Sequence, residues 1–208
     1  MAHSIKLVLL GGSFDPIHNG HMAVAHSAVE AGYDQVIFLP VALSPHKLDR
    51  PPAPALDRWA MCVLATLQEP RFRVSRHELE QAPPSYSADT VHQFRRQWPQ
   101  ARMSWAIGAD NLKALHTWMR VDDFVQEARF LVVPRDNLQG RALDEAITAL
   151  PPWLRAAIDV LDMPPVPVSS TAVRDLLHEG ADVTNLIPPE VALFISRYGV
   201  YAGSPVVG

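Results

Sequence analysis

Two histidines, His18 and His21, stand in the string His18-Asn19-Gly20-His21, directly after the glycine-led turn Gly11 to Pro16. Each imidazole carries a ring donor, and two of them three positions apart at the start of a helix can face the same side. A helix start adds unpaired N–H groups and the positive end of the macrodipole, which attract anions, phosphate above all. Such a corner suits the binding of phosphate and the stabilisation of negative charge as it develops. Gly11 and Gly12 let the backbone come close to a ligand that a Cβ would push away.

A second constellation lies far along the chain. Ser169, Ser170 and Thr171 open a helical stretch that carries Arg174 one turn inward. One hydroxyl is enough to cap a helix, so three hydroxyls and a permanent cation exceed that need and make a second anion-attracting start. If strands 1 and 4 are sheet neighbours, a triphosphate can lie between the two helix starts. Its α-phosphorus would then lie near His18 and its outer oxygens near Ser170, Thr171 and Arg174. Few general bases are in sight. That suits phosphoryl transfer to an oxygen that is already ionised, where catalysis is mostly positioning and charge stabilisation and no covalent nucleophile is needed.

The elements that must hold these groups follow from periodicity. Ile5 to Leu10 is an apolar run of buried-strand type, followed by a helix starting near Gly20 and ending at Gly32, then a strand over Gln35 to Pro40. Strand, helix, strand in about thirty residues is the smallest sign of a parallel sheet with right-handed crossovers. A proline-rich loop then carries His46 and Lys47 at the carboxyl end of the second strand, where open α/β sheets bind ligands. The helix around Leu56 to Leu67 shows Leu56, Trp59, Ala60, Val63 and Leu67 on one face, with Trp59 expected in the core. Arg71 to Ser75 reads as a third strand. A helix from about Ala88 to Gln97 follows, with Ser87 a plausible N-cap.

Arg102 to Leu115 repeats the opening logic: an apolar strand ends at Gly108 and a helix begins with Asp110 in its first turn. A carboxylate there suits a ribose diol, although the helix dipole alone would also favour it. Trp118 falls outside any periodic apolar face and is either a lid on the core or a stacking surface for a flat ring. Ala128 to Asp136 is a further strand whose end carries Arg135, Leu143 to Leu150 a helix stopped by Pro151 and Pro152, and Ala156 to Met163 a last strand. A proline-led helix C-capped at Gly199 closes the pattern.

Composition sets bounds. The 208 residues are 48% hydrophobic, which predicts one domain over residues 1–208 with a single substantial core. A net charge of −4 and no Lys/Arg block disfavour nucleic acid and anionic membrane as partners. One cysteine, Cys62, excludes an internal disulfide framework and a thiolate zinc cage. No apolar stretch approaches the ~20 residues of a bilayer span, and the expected setting is cytoplasmic.

The strings GGSFDPIHNGH and SSTAVR resemble the two signatures of the nucleotidylyltransferase superfamily, and the resemblance is closest to the bacterial nicotinate-nucleotide adenylyltransferase family. It implies a Rossmann-like, doubly wound, mainly parallel α/β sheet with a small C-terminal helical portion. It also implies transfer of AMP from ATP, with Mg²⁺, to nicotinate mononucleotide. By the resemblance His18, His21, Lys47 and Arg174 are catalytic. ATP meets Gly11, Gly12, Ser13, Phe14, His18, His21, Gly108, Asp110, Ser169, Ser170, Thr171 and Arg174. The mononucleotide meets Ser13, His46, Lys47, Tyr86, Ser87, Trp118, Met119 and Arg135, with Trp118 stacking on its ring. No carboxylate cage for a metal is visible, so phosphates and water should supply most Mg²⁺ ligands. Ser44, Ser87 and Met119 depart from the family's commoner residues. Other readings stay open: a nicotinamide or phosphopantetheine substrate, a histidine-metal hydrolase built on His18, His21 and His46, a non-catalytic nucleotide-binding module, and a homo-oligomer.

Overall fold

Six strands form one sheet in the order β3-β2-β1-β4-β5-β6, every neighbouring pair parallel. They are β1 (Lys6–Gly12), β2 (Gln35–Pro40), β3 (Phe72–Val74), β4 (Arg102–Gly108), β5 (Arg129–Val133) and β6 (Ile158–Val160). The computed structural model describes residues 4–41, 52–81, 85–135 and 138–201. Helices α1 (Asn19–Glu30), α2 (Ala55–Thr66), α8 (Ser170–His178) and α9 (Pro189–Tyr198) cover one face. The other face carries α4 (Ser87–Gln97), α5 (Val121–Glu127), α6 (Gly140–Thr148), α7 (Pro152–Arg155) and a 3-10 helix over Ala109–Thr117. A one-turn α3 (His77–Glu80) precedes α4 where the sequence reading has only a loop. No helix among the described residues is long and apolar enough to cross a membrane.

Because strand side chains alternate sides, each strand feeds both faces. Leu7, Leu9, Ile37, Leu39, Phe130 and Val132 pack toward α4 and α5, whereas Val8, Leu10, Val36, Phe38, Leu131 and Val133 pack toward α1 and α2. The expected single core is therefore two apolar layers with the sheet between them. The small C-terminal helical portion packs into the same layer as α1 through Val173, Val191 and Ile195.

One helix face is the reverse of that expected. In α2 the buried residues are Arg58, Met61, Cys62 and Thr66, while Leu56 and Leu67 are 61% and 63% exposed. Trp59 is only partly buried, beneath the Arg76 guanidinium. Both stripes fit a 3.6-residue period, and the inward one contains an arginine. Ser87 also differs from expectation. The N-cap of α4 is Tyr86, and Ser87 is the first helical residue.

Strand order reverses between β1 and β4, which pair from Lys6 with Arg102 to Leu9 with Trp105. The crossovers leave opposite faces there, so a crevice opens beyond the carboxyl ends of these two strands.

Candidate active site

A cavity of about 550 Å³ occupies that crevice. Gly11 and Gly12 of β1, with His18, Gly20 and His21 at the start of α1, form one wall. Residues 105–108 of β4, Asn111 and Trp118 form another, residues 133–135 a third, and residues 165–169 with Ala172 the approach to α8. The condition set by the sequence, strands 1 and 4 as neighbours, is met. The two helix starts touch: Ser170 Oγ donates to the Pro16 carbonyl at 3.0 Å, and a Cβ placed on Gly20 would stand 3.0 Å from Val168 Cγ1.

The first signature is held tightly. The Asp15–Pro16 bond is cis, and the chain enters α1 at His18, whose N–H donates to His21 Nδ1 at 3.2 Å. The imidazoles stack with centroids 3.7 Å apart. Asn19 N–H donates to the Leu186 carbonyl at 2.8 Å, and its Nδ2 donates to the Asn185 carbonyl at 3.0 Å. One amide expected to meet a ligand is thus already engaged, and anion binding at this corner rests more on the imidazoles.

His18 is 5% exposed, and its pKa is held down at about 4. Burial is the larger cause, the Arg135 guanidinium the second, and a hydrogen bond to its own backbone offsets part of the shift. The ring is therefore neutral near pH 7. Its Nδ1 is buried, which leaves Nε2 as the nitrogen to meet a ligand.

Two glycines of the wall lie close against neighbouring side chains. A Cβ on Gly11 would stand 2.8 Å from Trp105 Cζ2, so the indole lies flush against β1 only because position 11 has no side chain. At Gly108 a Cβ would collide with the Asp110 carboxylate and approach Arg135 Nε to 3.1 Å. Gly108 thus makes room for the Asp110–Arg135 pair, 3.9 Å apart, of which Arg135 lines the cavity and Asp110 does not.

Trp118 lies between the core and the cavity. Its ring meets Phe130 edge-on at 5.8 Å, and it also lines the cavity. Tyr86 and Met119 are exposed at 37% and 55% and, like Ser87, do not line the cavity. Their segments are joined, however, by the ion pair of Asp89 with Arg120. His46 and Lys47 lie outside the described residues.

Several expected ATP contacts are placed differently. Phe14 is 2% exposed and supports the His21 ring from behind, centroid to centroid 4.9 Å, because its left-handed backbone (φ 47°) turns the side chain into the core. The Ser13 carbonyl accepts from Arg58 at 2.6 Å. Ser169 Oγ caps α8 by accepting from Ala172 N–H at 3.2 Å, and Ser169 reaches the cavity. Ser170, Thr171 and Arg174 do not line it. Arg174 donates from Nη1 to the Asp15 carbonyl at 2.6 Å and from Nη2 to Thr171 Oγ1 at 3.3 Å. With the helix starts in contact, α8 finds acceptors in the carbonyls of the β1–α1 loop.

Sequence reasoning overlooked Trp105, Asn111 and residues 165–168 as lining groups, and Arg58, Asp15 and Tyr201 as supports behind the loop. Only Arg58 carried a signal, an arginine at helical spacing from Met61 and Cys62. Among the described residues no group of three His, Cys, Asp or Glu could hold a metal ion.

The sequence model of the Cytidylyltransferase-like family matches residues 9–176. A protein of Neisseria gonorrhoeae (strain NCCP11945) named "Probable nicotinate-nucleotide adenylyltransferase" is 41% identical over 202 residues, 94% of this chain and 98% of that one. One of the same name from Saccharopolyspora erythraea is 37% identical over 205 residues, 98% of this chain and 92% of that one. Among solved structures, Plasmodium falciparum nicotinic acid mononucleotide adenylyltransferase complexed with NaAD matches with a TM-score of 0.76 at 17% identity, over 96% of this chain and 98% of that one. The same enzyme complexed with APC gives 0.72 at 17% identity, over the same shares of the two chains. At that identity the likeness speaks for the fold.

Proposed function

The chain belongs to the nicotinate-nucleotide adenylyltransferase family, of Cytidylyltransferase-like fold, and on that footing we propose that it transfers the AMP moiety of ATP to nicotinate mononucleotide, giving deamido-NAD and pyrophosphate. A phosphate oxygen of the mononucleotide attacks the α-phosphorus of ATP. The new P–O bond forms as the bond from that phosphorus to the bridging oxygen of pyrophosphate breaks. The attacking oxygen is already ionised, so no base has to remove a proton, and no enzyme-bound intermediate is required.

The observation that carries this reading is the meeting of the His18/His21 corner and the α8 approach across one cavity at the sheet's point of reversal. His18 and His21 are assigned to the α-phosphate, where neutral ring donors meet charge as it builds on the non-bridging oxygens. Gly11, Gly12 and Gly108 let the backbone approach the nucleotide, and Asp110 serves the ribose. Ser169 serves the phosphates directly. Ser13, Phe14, Ser170, Thr171 and Arg174 serve them indirectly, by holding the loop that carries the histidines. Trp118 is assigned to stack on the pyridine ring with Arg135 nearby. Tyr86, Ser87 and Met119 flank that end, and His46 and Lys47 are assigned to the mononucleotide phosphate.

Mg²⁺ enters as part of the ATP substrate. No group of His, Cys, Asp or Glu among the described residues could hold a resident ion, so its ligands are expected from phosphate oxygens and water, and no step is routed through it.

Pyrophosphate release measured with nicotinate mononucleotide, its amide and phosphopantetheine, each with ATP and CTP, tests the assignment. The expected result is fastest turnover with nicotinate mononucleotide and ATP. Faster turnover with any other pairing would reassign the substrate, and release with none would leave a nucleotide-binding module.

A further inference from the structure

Apart from the residues that line the cavity, a set of buried polar groups surrounds Ser13 to Pro16. Arg58 is 1% exposed, an expensive place for a guanidinium unless its donors are met. It donates from Nε to the Ala53 carbonyl at 2.9 Å, and from Nη1 to the carbonyls of Ser13 at 2.6 Å and Val41 at 2.8 Å. Three carbonyls, two of them remote in sequence, are thereby tied to one planar group. Asp15, 7% exposed, is the second centre. Its Oδ1 accepts from Ala53 N–H at 3.0 Å and from the Tyr201 hydroxyl at 2.7 Å, while its Oδ2 lies 3.4 Å from Arg174 Nη1.

We propose that Arg58, Asp15 and Tyr201 are positioning residues: together they fix the shape of the Ser13–Pro16 loop and, through it, where the His18 ring stands in the cavity. The inference rests on reading that cavity as the seat of adenylyl transfer. An apolar filling of the same volume would hold the helices together as well or better. What apolar residues cannot do is specify individual carbonyls. Here Arg58 holds the Ser13 carbonyl, Ala53 N–H and Tyr201 hold Asp15 Oδ1, Arg174 holds the Asp15 carbonyl and lies beside its Oδ2, and Ser170 holds the Pro16 carbonyl. Phe14 between them sits at φ 47°, a left-handed conformation that a bulky residue keeps only where its surroundings over-determine it. His18 follows two residues after Pro16. Tyr201 brings the end of the described chain, beyond α9, into the same support.

Tyr201→Phe deletes one hydroxyl, and Arg58→Lys keeps the charge while replacing the planar fork by a single nitrogen that cannot reach all three carbonyls. Each is expected to lower kcat by roughly tenfold or more, the scale of a sub-ångström misplacement, with both KM values within about twofold of the parent. In each the His18 ring resonances should shift by NMR, with a titration midpoint above the parent's. Adding Tyr201→Phe to Asp15→Asn should cost less than the two single effects combined, as for groups acting through one contact.

Unchanged kcat with an unmoved His18 resonance in both single variants would overturn the proposal. So would a loss of activity that tracks a loss of thermal stability while His18 stays in place. If Arg58→Lys does not fold, Tyr201→Phe carries the test. The NMR arm needs no substrate, so it still reads the network if pyrophosphate release fails with every pairing, which would sink the proposed function alone.

Discussion

The His18 ring lies 3.7 Å from the His21 ring, the planes 22° apart, and the His21 Nδ1 accepts from the His18 N–H. His21 therefore has its ring orientation set by the backbone of the residue it stacks on. Removing either ring is expected to disturb the other. His18→Ala and His21→Ala should each lower kcat by roughly 10²–10³, the scale of losing one preorganised donor, and the double variant should lose less than the product of the two. Steady-state kinetics on the three proteins would check it, and a fully multiplicative double variant would argue that the rings act independently.

The buried His18 also makes stability pH-dependent. Its folded pKa of about 4 lies below the ordinary 6.5, so between those values the unfolded chain binds more protons. The contribution is fully present above about pH 6.5 and is lost as pH falls toward 4. Its size is about 2–3 kcal/mol between pH 7 and 4.5. In urea titrations at those two pH values, His18→Gln should lose less stability than the parent by about that amount. Equal losses would mean the ring titrates normally.

Trp118 divides its ring between Phe130 and the cavity. With stacking worth ~1–3 kcal/mol, Trp118→Ala should raise KM for nicotinate mononucleotide roughly 5- to 150-fold and that for ATP by no more than about twofold. A matched rise in both would make the residue a core lid only.

Gly11 is where β1 and the Trp105 indole come into contact. The Cβ of Gly11→Ala would stand 2.8 Å from Trp105 Cζ2, so the indole must move. Destabilisation of roughly 1–3 kcal/mol is expected, with a change in tryptophan emission. An alanine variant as stable as the parent, with unaltered emission, would show that the wall yields freely.

Cys62 is fully buried in α2, and burial pushes its thiol well above the ordinary range. It should not react with an aromatic disulfide reagent at pH 8 until denaturant is added. Rapid native-state labelling would show that α2 opens locally.

What the sequence determined by itself was everything carried by local pattern. The runs Ile5 to Leu10, Gln35 to Pro40 and Arg102 to Gly108 read as strands because each is a short apolar run stopped by glycine or proline, and the structure has them within a residue or two. His18, His21 and Ser169 could be placed at helix starts because caps and turns are chemistry of neighbouring residues. Tertiary structure decided what depends on partners distant in the chain. Which face of α2 turns inward follows from three carbonyls gathered around Arg58, of which only that of Ala53 lies within a helical turn or two of it. Whether Ser170 and Arg174 face a ligand or the loop behind it depends on how closely α8 meets Pro16 and Asp15. A hydrogen-bonding group takes whichever acceptor the fold brings within about 3 Å, and neighbouring sequence does not encode that distance.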